Sequence, residues 1–172
     1  TDRLQELPGL LLMVPAAIAL RGNIFGALGS RLGTAIHAGT FRLSMRSSSV
    51  VGENVLASLV LTLATSVALA VLAKGAAVVF GVAGSIALAN FIVISVVGGL
   101  LASVAVLVTA LGLTSGSVRF GWDPDNVTAP LVTAVGDVAT VPALVLASAL
   151  VGKQWPVLAV TAIAVAAIPV AV

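Results

Sequence analysis

Long apolar runs separated by short polar stretches dominate the chain. Residues 7–30 are apolar apart from Arg21, residues 55–73 carry no charge, and residues 75–118 run for 44 positions without a charged side chain. A helix of that last length would extend about 66 Å, roughly twice the hydrocarbon thickness of a bilayer. The pattern therefore predicts a break within residues 75–118.

Polar positions set the predicted boundaries of the elements. We expect Lys74 and Gly75 to interrupt the second run, and the stretches 40–54 and 114–126 to form loops, the first of them with a short interfacial helix. The predicted membrane helices are 7–30, 55–73, 85–113, 127–150 and 156–172, with a short element at 76–82.

The fold class follows from lipid as the solvent. The chain of 172 residues is 60% hydrophobic and 8% charged, with a mean hydropathy of +1.23, whereas soluble domains carry about 25% charged residues. Backbone groups in lipid find partners only within a helix or a closed barrel, and the alternation that a barrel needs is missing. We expect an all-α, polytopic transmembrane helical bundle of about five spans in contact with the lipid bilayer.

Composition also excludes several function classes. Eight basic and six acidic residues, net charge +2, are too few for a nucleic-acid surface. Cysteine is absent and His37 is the only histidine, so no Ser-His-Asp set, phosphate loop or zinc spacing can be assembled. We predict that the protein is not an enzyme.

Basic residues predict the orientation in a cell membrane. Cytoplasmic loops carry the excess of arginine and lysine, and the side with more arginines is expected to be cytoplasmic. Its residues are Arg42, Arg46 and Arg119, with Arg31 nearby, and Lys74 and Lys153 lie on the other side. The chain would then begin outside the cell, which an additional helix before Thr1 would resolve. We therefore expect residues 1–172 to be a single membrane domain that lacks one upstream helix.

Asp137 is the only ionisable residue among the 27 positions from Asn126 to Gly152. An unpaired carboxylate at the centre of a membrane helix costs about 2.5–3.5 kcal/mol on insertion scales, so such a residue is retained where it faces a partner or water. Helical spacing places Thr133 and Thr140 on the same face as Asp137.

Two prolines, Pro130 and Pro142, flank this carboxylate and disturb helical hydrogen bonds. A carbonyl freed near Ala129, Thr133 or Ala134 adds an oxygen ligand of the kind that Mg²⁺ requires. The structural alternative is an aspartate that pairs with Arg21 or caps a broken helix.

The first helix carries small and polar residues at alternating spacings of three and four. We interpret these as one seam, in which Asn23 faces a pore; the alternative is a helix-packing face. The seam consists of Asn23, Gly26, Ser30, Gly33 and His37.

The motif Asp123-Pro-Asp125-Asn126 is most simply a turn and helix N-cap before the fourth long helix. A secondary interpretation is an acidic vestibule that attracts cations at the cytoplasmic mouth.

Two stretches resemble one known family of membrane proteins. Residues 14–39 read VPAAIALRGNIFGALGSRLGTAIHAG, which resembles the signature PALLGLRGN…SRLSTA of the MgtE-type magnesium channels and, more closely, of their solute carrier family 41 relatives. Residues 123–144 read DPDNVTAPLVTAVGDVATVPAL, similar to the family's DPDN…P…GD segment, and residues 157–172 match the solute carrier branch as well.

The resemblance implies a Mg²⁺ pathway between the two polar helices, at the axis of a homodimer or between two homologous halves. The family's pore acid falls on Asp137 and its Gly-Asn pair on Gly22 and Asn23. Ala129 replaces an asparagine of the bacterial channels, as in the solute carrier branch. The separate cytoplasmic sensor domain of those channels is not expected in this chain, and Mn²⁺ and Co²⁺ are possible surrogates for Mg²⁺.

Together these features predict a divalent cation transporter or channel. Asp137 supplies charge to a partly hydrated ion, and Asn23 and nearby carbonyls bind the waters of that ion. The alternatives are a proton- or sodium-coupled carrier of a small solute that uses Asp137 as its protonation site, and a structural subunit that moves nothing.

Overall fold

Four long α-helices form the part of the chain, residues 9–46 and 48–151, that a computed structural model describes. Each is long and apolar enough to cross a membrane, so the predicted all-α, multi-pass membrane architecture is confirmed. The predicted span at 156–172 lies outside the described residues. The helices are α1 (Leu10–His37), α2 (Val50–Val79), α3 (Leu88–Phe120) and α4 (Pro124–Ser148).

Short connections make successive helices antiparallel, and α1 also packs against α3 and α4. The end of α1, the start of α2, the end of α3 and the start of α4 lie together at one end of the bundle. We call this the arginine end, because Arg42 and Arg46 lie in the α1–α2 loop and Arg119 lies in the last turn of α3. We call the opposite end the lysine end, because Lys74 lies near the end of α2; Lys153 lies outside the described residues.

Two apolar clusters hold the helices together. The cluster near the lysine end is formed by Leu10, Met13, Phe91 and Leu144, among others. The cluster nearer the arginine end contains fully buried Phe25, Leu32, Val51, Val106 and Val132.

The predicted break at Lys74 and Gly75 is wrong, and so is the separate element at 76–82. Helix α2 continues to Val79, and the chain leaves helical structure only over residues 80–87. The Lys74 side chain extends to that connection, where its ammonium group donates to the Ser85 hydroxyl at 2.7 Å and to the Ile86 carbonyl at 3.0 Å. A lysine thus stays within the helix and still reaches polar partners.

Two predicted loops are shorter than the sequence suggested. Helix α2 begins at Val50, because the Ser49 hydroxyl accepts the Gly52 amide at 3.0 Å and caps the first turn. Helix α3 extends to Phe120, and Gly121 ends it in the left-handed region at φ 69°. Only residues 121–123 separate α3 from α4. The serine and threonine residues at the start of the predicted loop are helical and form the last turns of α3.

Candidate functional site

Helix α1 contacts α4 along a line of four glycines, which are spaced four, three and four residues apart on α1. A methyl group placed at Gly29 would lie 3.3 Å from the Ala129 Cα, so the two backbones nearly touch. The glycine line consists of Gly22, Gly26, Gly29 and Gly33, and it faces Asp137, Thr133, Ala129 and Asp125 in antiparallel order. Small residues allow this close approach of membrane helices.

The observed contact differs from the predicted seam. Gly26 and Gly33 face α4 as part of the glycine line, but Asn23 and Ser30 are exposed on the neighbouring face of α1. The reason is steric, because only the glycine positions admit a second backbone at this distance. Asn23 instead lines a cavity of about 250 Å³ at the α1–α2 boundary, together with Arg31 and Asn54.

Asp137 lies near the middle of α4, and its side chain is exposed. Its Oδ1 atom would be 3.6 Å from a methyl group placed at Gly22, so the acid sits at the edge of the α1–α4 contact. Pro130 and Ala134 are exposed on the same helix, about two turns and one turn before Asp137, respectively. Asn23 is exposed on α1 next to Gly22, which faces Asp137, and we call Asn23, Pro130, Ala134 and Asp137 the open face.

The two threonines predicted beside Asp137 have different environments. Thr133 is half-buried against Gly26 and donates its hydroxyl to the Ala129 carbonyl at 3.0 Å. Thr140 is fully buried and donates to the Gly136 carbonyl at 2.6 Å, so its side chain faces the bundle interior while Asp137 is exposed. Gly136, one turn before Thr140, faces Val106 of α3, so α3 covers this side of α4.

Pro130 and Pro142 both lie inside α4 without ending it. A proline removes the donor to the carbonyl four residues before it, which here is the carbonyl of Asn126 or Val138. The Ala129 carbonyl, one of those expected to be free, accepts the Thr133 hydroxyl. The freed Val138 carbonyl belongs to the residue next to Asp137.

Arg21 does not pair with Asp137. The arginine is 4% exposed, donates from Nη1 to the Ala17 carbonyl at 3.4 Å, and approaches Gly99 of α3. Successive helical residues point about 100° apart, so Arg21 faces the bundle interior while Gly22 faces α4. No ion pair joins Arg21 to Asp137 in the part of the chain that the structure describes.

The motif at the start of α4 forms the predicted N-cap. The Asp123 carboxylate accepts the Asp125 amide at 3.1 Å and the Asn126 side-chain amide at 2.5 Å. The Asp125 carboxylate lies over Gly33, and its Oδ2 is 3.8 Å from His37 Nδ1. The sequence did not predict a contact of His37 with these acids, because the contact depends on the antiparallel register of α1 and α4.

Known proteins with similar sequences point to one family. The family model of MgtE, described as a divalent cation transporter, matches residues 14–147. Similar curated proteins include solute carrier family 41 member 3 of Rattus norvegicus, 28% identical over 149 residues, which are 84% of this chain and 31% of that protein. Member 2 of Homo sapiens is 30% identical over 141 residues, which are 79% of this chain and 24% of that protein.

The chain thus spans about a quarter to a third of the length of these curated relatives. No solved structure matches it. The family match includes all four glycines that face α4 and the carboxylate beside them. This chain, a multi-pass membrane protein, therefore belongs to the MgtE family of divalent cation transporters, which are transport proteins rather than enzymes.

Proposed function

We propose that this protein transports Mg²⁺ along the open face of α1 and α4, with Asp137 as the carboxylate that binds the ion. The observation that carries the proposal is the environment of Asp137. It is exposed in the middle of a membrane helix, and it forms no ion pair with Arg21, the predicted partner. No basic side chain pairs with this carboxylate among the described residues, and a divalent cation would supply the counter-charge.

The open face needs a cover in the membrane. Leaving an ionised aspartate toward lipid costs about 2.5–3.5 kcal/mol or more. A second copy of the chain, related by a two-fold axis along this face, removes that cost by enclosing an aqueous passage. It also brings two Asp137 carboxylates to one ion, which matches the charge of Mg²⁺.

The other groups on this face suit a hydrated ion. Mg²⁺ dehydrates reluctantly and keeps several of its waters, so its recognition rests largely on hydrogen bonds to those waters. Asn23 offers an exposed side-chain amide on α1, and Ala134 and Pro130 of α4 are exposed on the same helix as Asp137. Thr133 and Ala129 set the approach of α1 to this backbone.

The proposal places the protein in a cell membrane with the arginine end in the cytoplasm. Arg42, Arg46 and Arg119 lie at that end, and short cytoplasmic loops carry the excess of arginine and lysine. The four described helices and the span predicted at 156–172 then form one membrane domain. Asp123, Asp125 and Asn126 lie at the cytoplasmic mouth.

Asp137→Asn tests the proposal, because it removes the charge and keeps the size of the side chain. In proteoliposomes loaded with a Mg²⁺ indicator, we expect the Asp137→Asn variant to lose at least nine-tenths of the Mg²⁺ flux. The matched control is Glu53→Gln, which neutralises an exposed acid in the first turn of α2 and should keep the flux.

A second readout separates the ion carrier from the proton- or sodium-coupled alternative. A ligand that binds the folded state stabilises it, by about 2.7 kcal/mol at one hundred times its dissociation constant. Mg²⁺ should therefore raise the melting temperature of the wild-type protein but not of Asp137→Asn. Full Mg²⁺ flux in the variant, or stabilisation by Na⁺ alone, contradicts the proposal.

A further inference from the structure

A second group of potential ligands lies at the arginine end. One ligand atom each of His37, Asp123 and Asp125 can be chosen so that all three atoms lie within 4.8 Å of one another. We propose that these three residues form a divalent-cation site that is separate from Asp137 and prefers a transition metal, such as Co²⁺ or Zn²⁺, to Mg²⁺.

Local structure brings the three side chains together. Asp123 is fixed as the N-cap of α4, where it also accepts the Asn126 amide. Asp125 follows two residues later and projects across the α1–α4 contact. A methyl group placed at Gly33 would lie 2.6 Å from Asp125 Oδ1, so the carboxylate occupies the space that any side chain at this position would fill. His37 lies one turn after Gly33, at the end of α1.

An independent observation points to a ligand at this place. His37 and Asp123 line a cavity of about 590 Å³ together with Ser117 of α3. The Ser117 side chain is 3% exposed, and its hydroxyl has no hydrogen-bond partner among the described residues. Ser103 and Thr114 of the same helix donate to carbonyls four residues earlier, at 2.7 and 2.6 Å. Ser95 and Ser115 of this helix also have no partner among the described residues, but they do not line this cavity. A buried hydroxyl that forgoes this bond calls for a partner such as an ion-bound water.

The donor set determines the class of metal. Carboxylates alone suit Mg²⁺ and Ca²⁺, whereas an imidazole favours Zn²⁺, Co²⁺ and Ni²⁺. Two carboxylates and one imidazole are three protein ligands, which leaves positions for water in a four- to six-coordinate ion. Two aspartates also balance the double positive charge.

This site is too far from Asp137 to be the same one. Asp125 and Asp137 are 12 residues apart on one continuous helix, which is about 18 Å at 1.5 Å per residue. Occupancy of the two sites can therefore be measured independently.

Co²⁺ titration of the purified full chain, with any purification tag removed, tests the site. We expect saturable visible absorption bands, and an imidazole nitrogen in the cobalt X-ray absorption spectrum. Because His37 is the only histidine of the chain, that nitrogen identifies its source. His37→Gln should lower the Co²⁺ affinity at least tenfold, which is about 1.4 kcal/mol.

Two further variants make the test specific. Gly33→Ala changes no ligand but displaces the Asp125 carboxylate, so it should also weaken Co²⁺ binding. Asp137→Asn should keep the Co²⁺ bands whatever it does to Mg²⁺ flux, which separates this inference from the proposed transport function. Bands of unchanged affinity in His37→Gln, or no saturable binding to the wild-type protein, would overturn the proposal.

Discussion

Replacing Gly29 by alanine tests the close contact on which the α1–α4 face depends. The added methyl group would lie 3.3 Å from the Ala129 Cα and 3.6 Å from the Ala129 nitrogen. Ordinary van der Waals contacts of carbon begin at about 3.5 Å, and a backbone atom cannot rotate away as a side chain can. The two helices must therefore separate by a few tenths of an ångström.

The size of the effect follows from two terms. Overpacking by a methyl group costs about 1–3 kcal/mol, while alanine gains about 0.8–1.0 kcal/mol over glycine in a helix interior. Gly112→Ala in α3 is the matched control, because a methyl group there meets nothing within 4 Å. The helix term is common to both variants, so their stabilities should differ by the packing term alone.

Reversible unfolding in mixed detergent micelles measures this difference. We expect Gly29→Ala to be less stable than Gly112→Ala by about 1–3 kcal/mol, or about 5- to 150-fold in the unfolding equilibrium constant. Mg²⁺ flux should fall in Gly29→Ala, since the shift reaches Gly22 and Asp137, and persist in Gly112→Ala. Equal stability and equal flux of the two variants would refute the α1–α4 contact.

Two further predictions concern the open face and its charge. The chain has no cysteine, so Ala134→Cys places a single thiol on the open face, and oxidation should cross-link two copies of this variant. The control, Val104→Cys, has its thiol on the exposed surface of α3 and should remain a monomer on denaturing gels. The reverse pattern would contradict the dimer. The stability effects of Arg21→Met and Asp137→Asn should add within about 0.5 kcal/mol in a double-mutant cycle, because a coupling of several kcal/mol is expected only for a buried ion pair.

The all-α, multi-pass architecture was predictable, because lipid leaves the backbone only helices or a closed barrel and the sequence lacks the alternation of a barrel. Charges were less reliable guides to the helix ends. Lys74 suggested a break, yet a lysine near the end of a span can remain helical and send its ammonium group to the next connection. The break falls instead at Gly81 and Gly84, whose φ values of 63° and 70° end the helical path.

The candidate site was predictable only in part. Asp137 stands out because a charge in an apolar run is costly, and that argument needs no tertiary structure. The face of α1 that contacts α4 was not predictable in the same way. A spacing of three and four does not determine which of several small residues contacts the neighbouring helix. Gly22 and Gly29, together with Gly26 and Gly33, contact α4, while Ser30 is exposed. Asp125 joins His37 only through the antiparallel register of two helices.

The orientations of Arg21 and Gly22 explain how one helix separates two opposite charges. Arg21 points into the bundle, where the Ala17 carbonyl and the neighbouring Ser66 hydroxyl supply polar atoms. Gly22, turned by about 100°, admits α4 and leaves Asp137 at the edge of the contact. Had the two charges met, the pair would be neutral and would offer nothing to a cation. Under the proposed function the unpaired Asp137 carboxylates of two copies share one ion with two positive charges, so ion binding and assembly are expected to depend on each other.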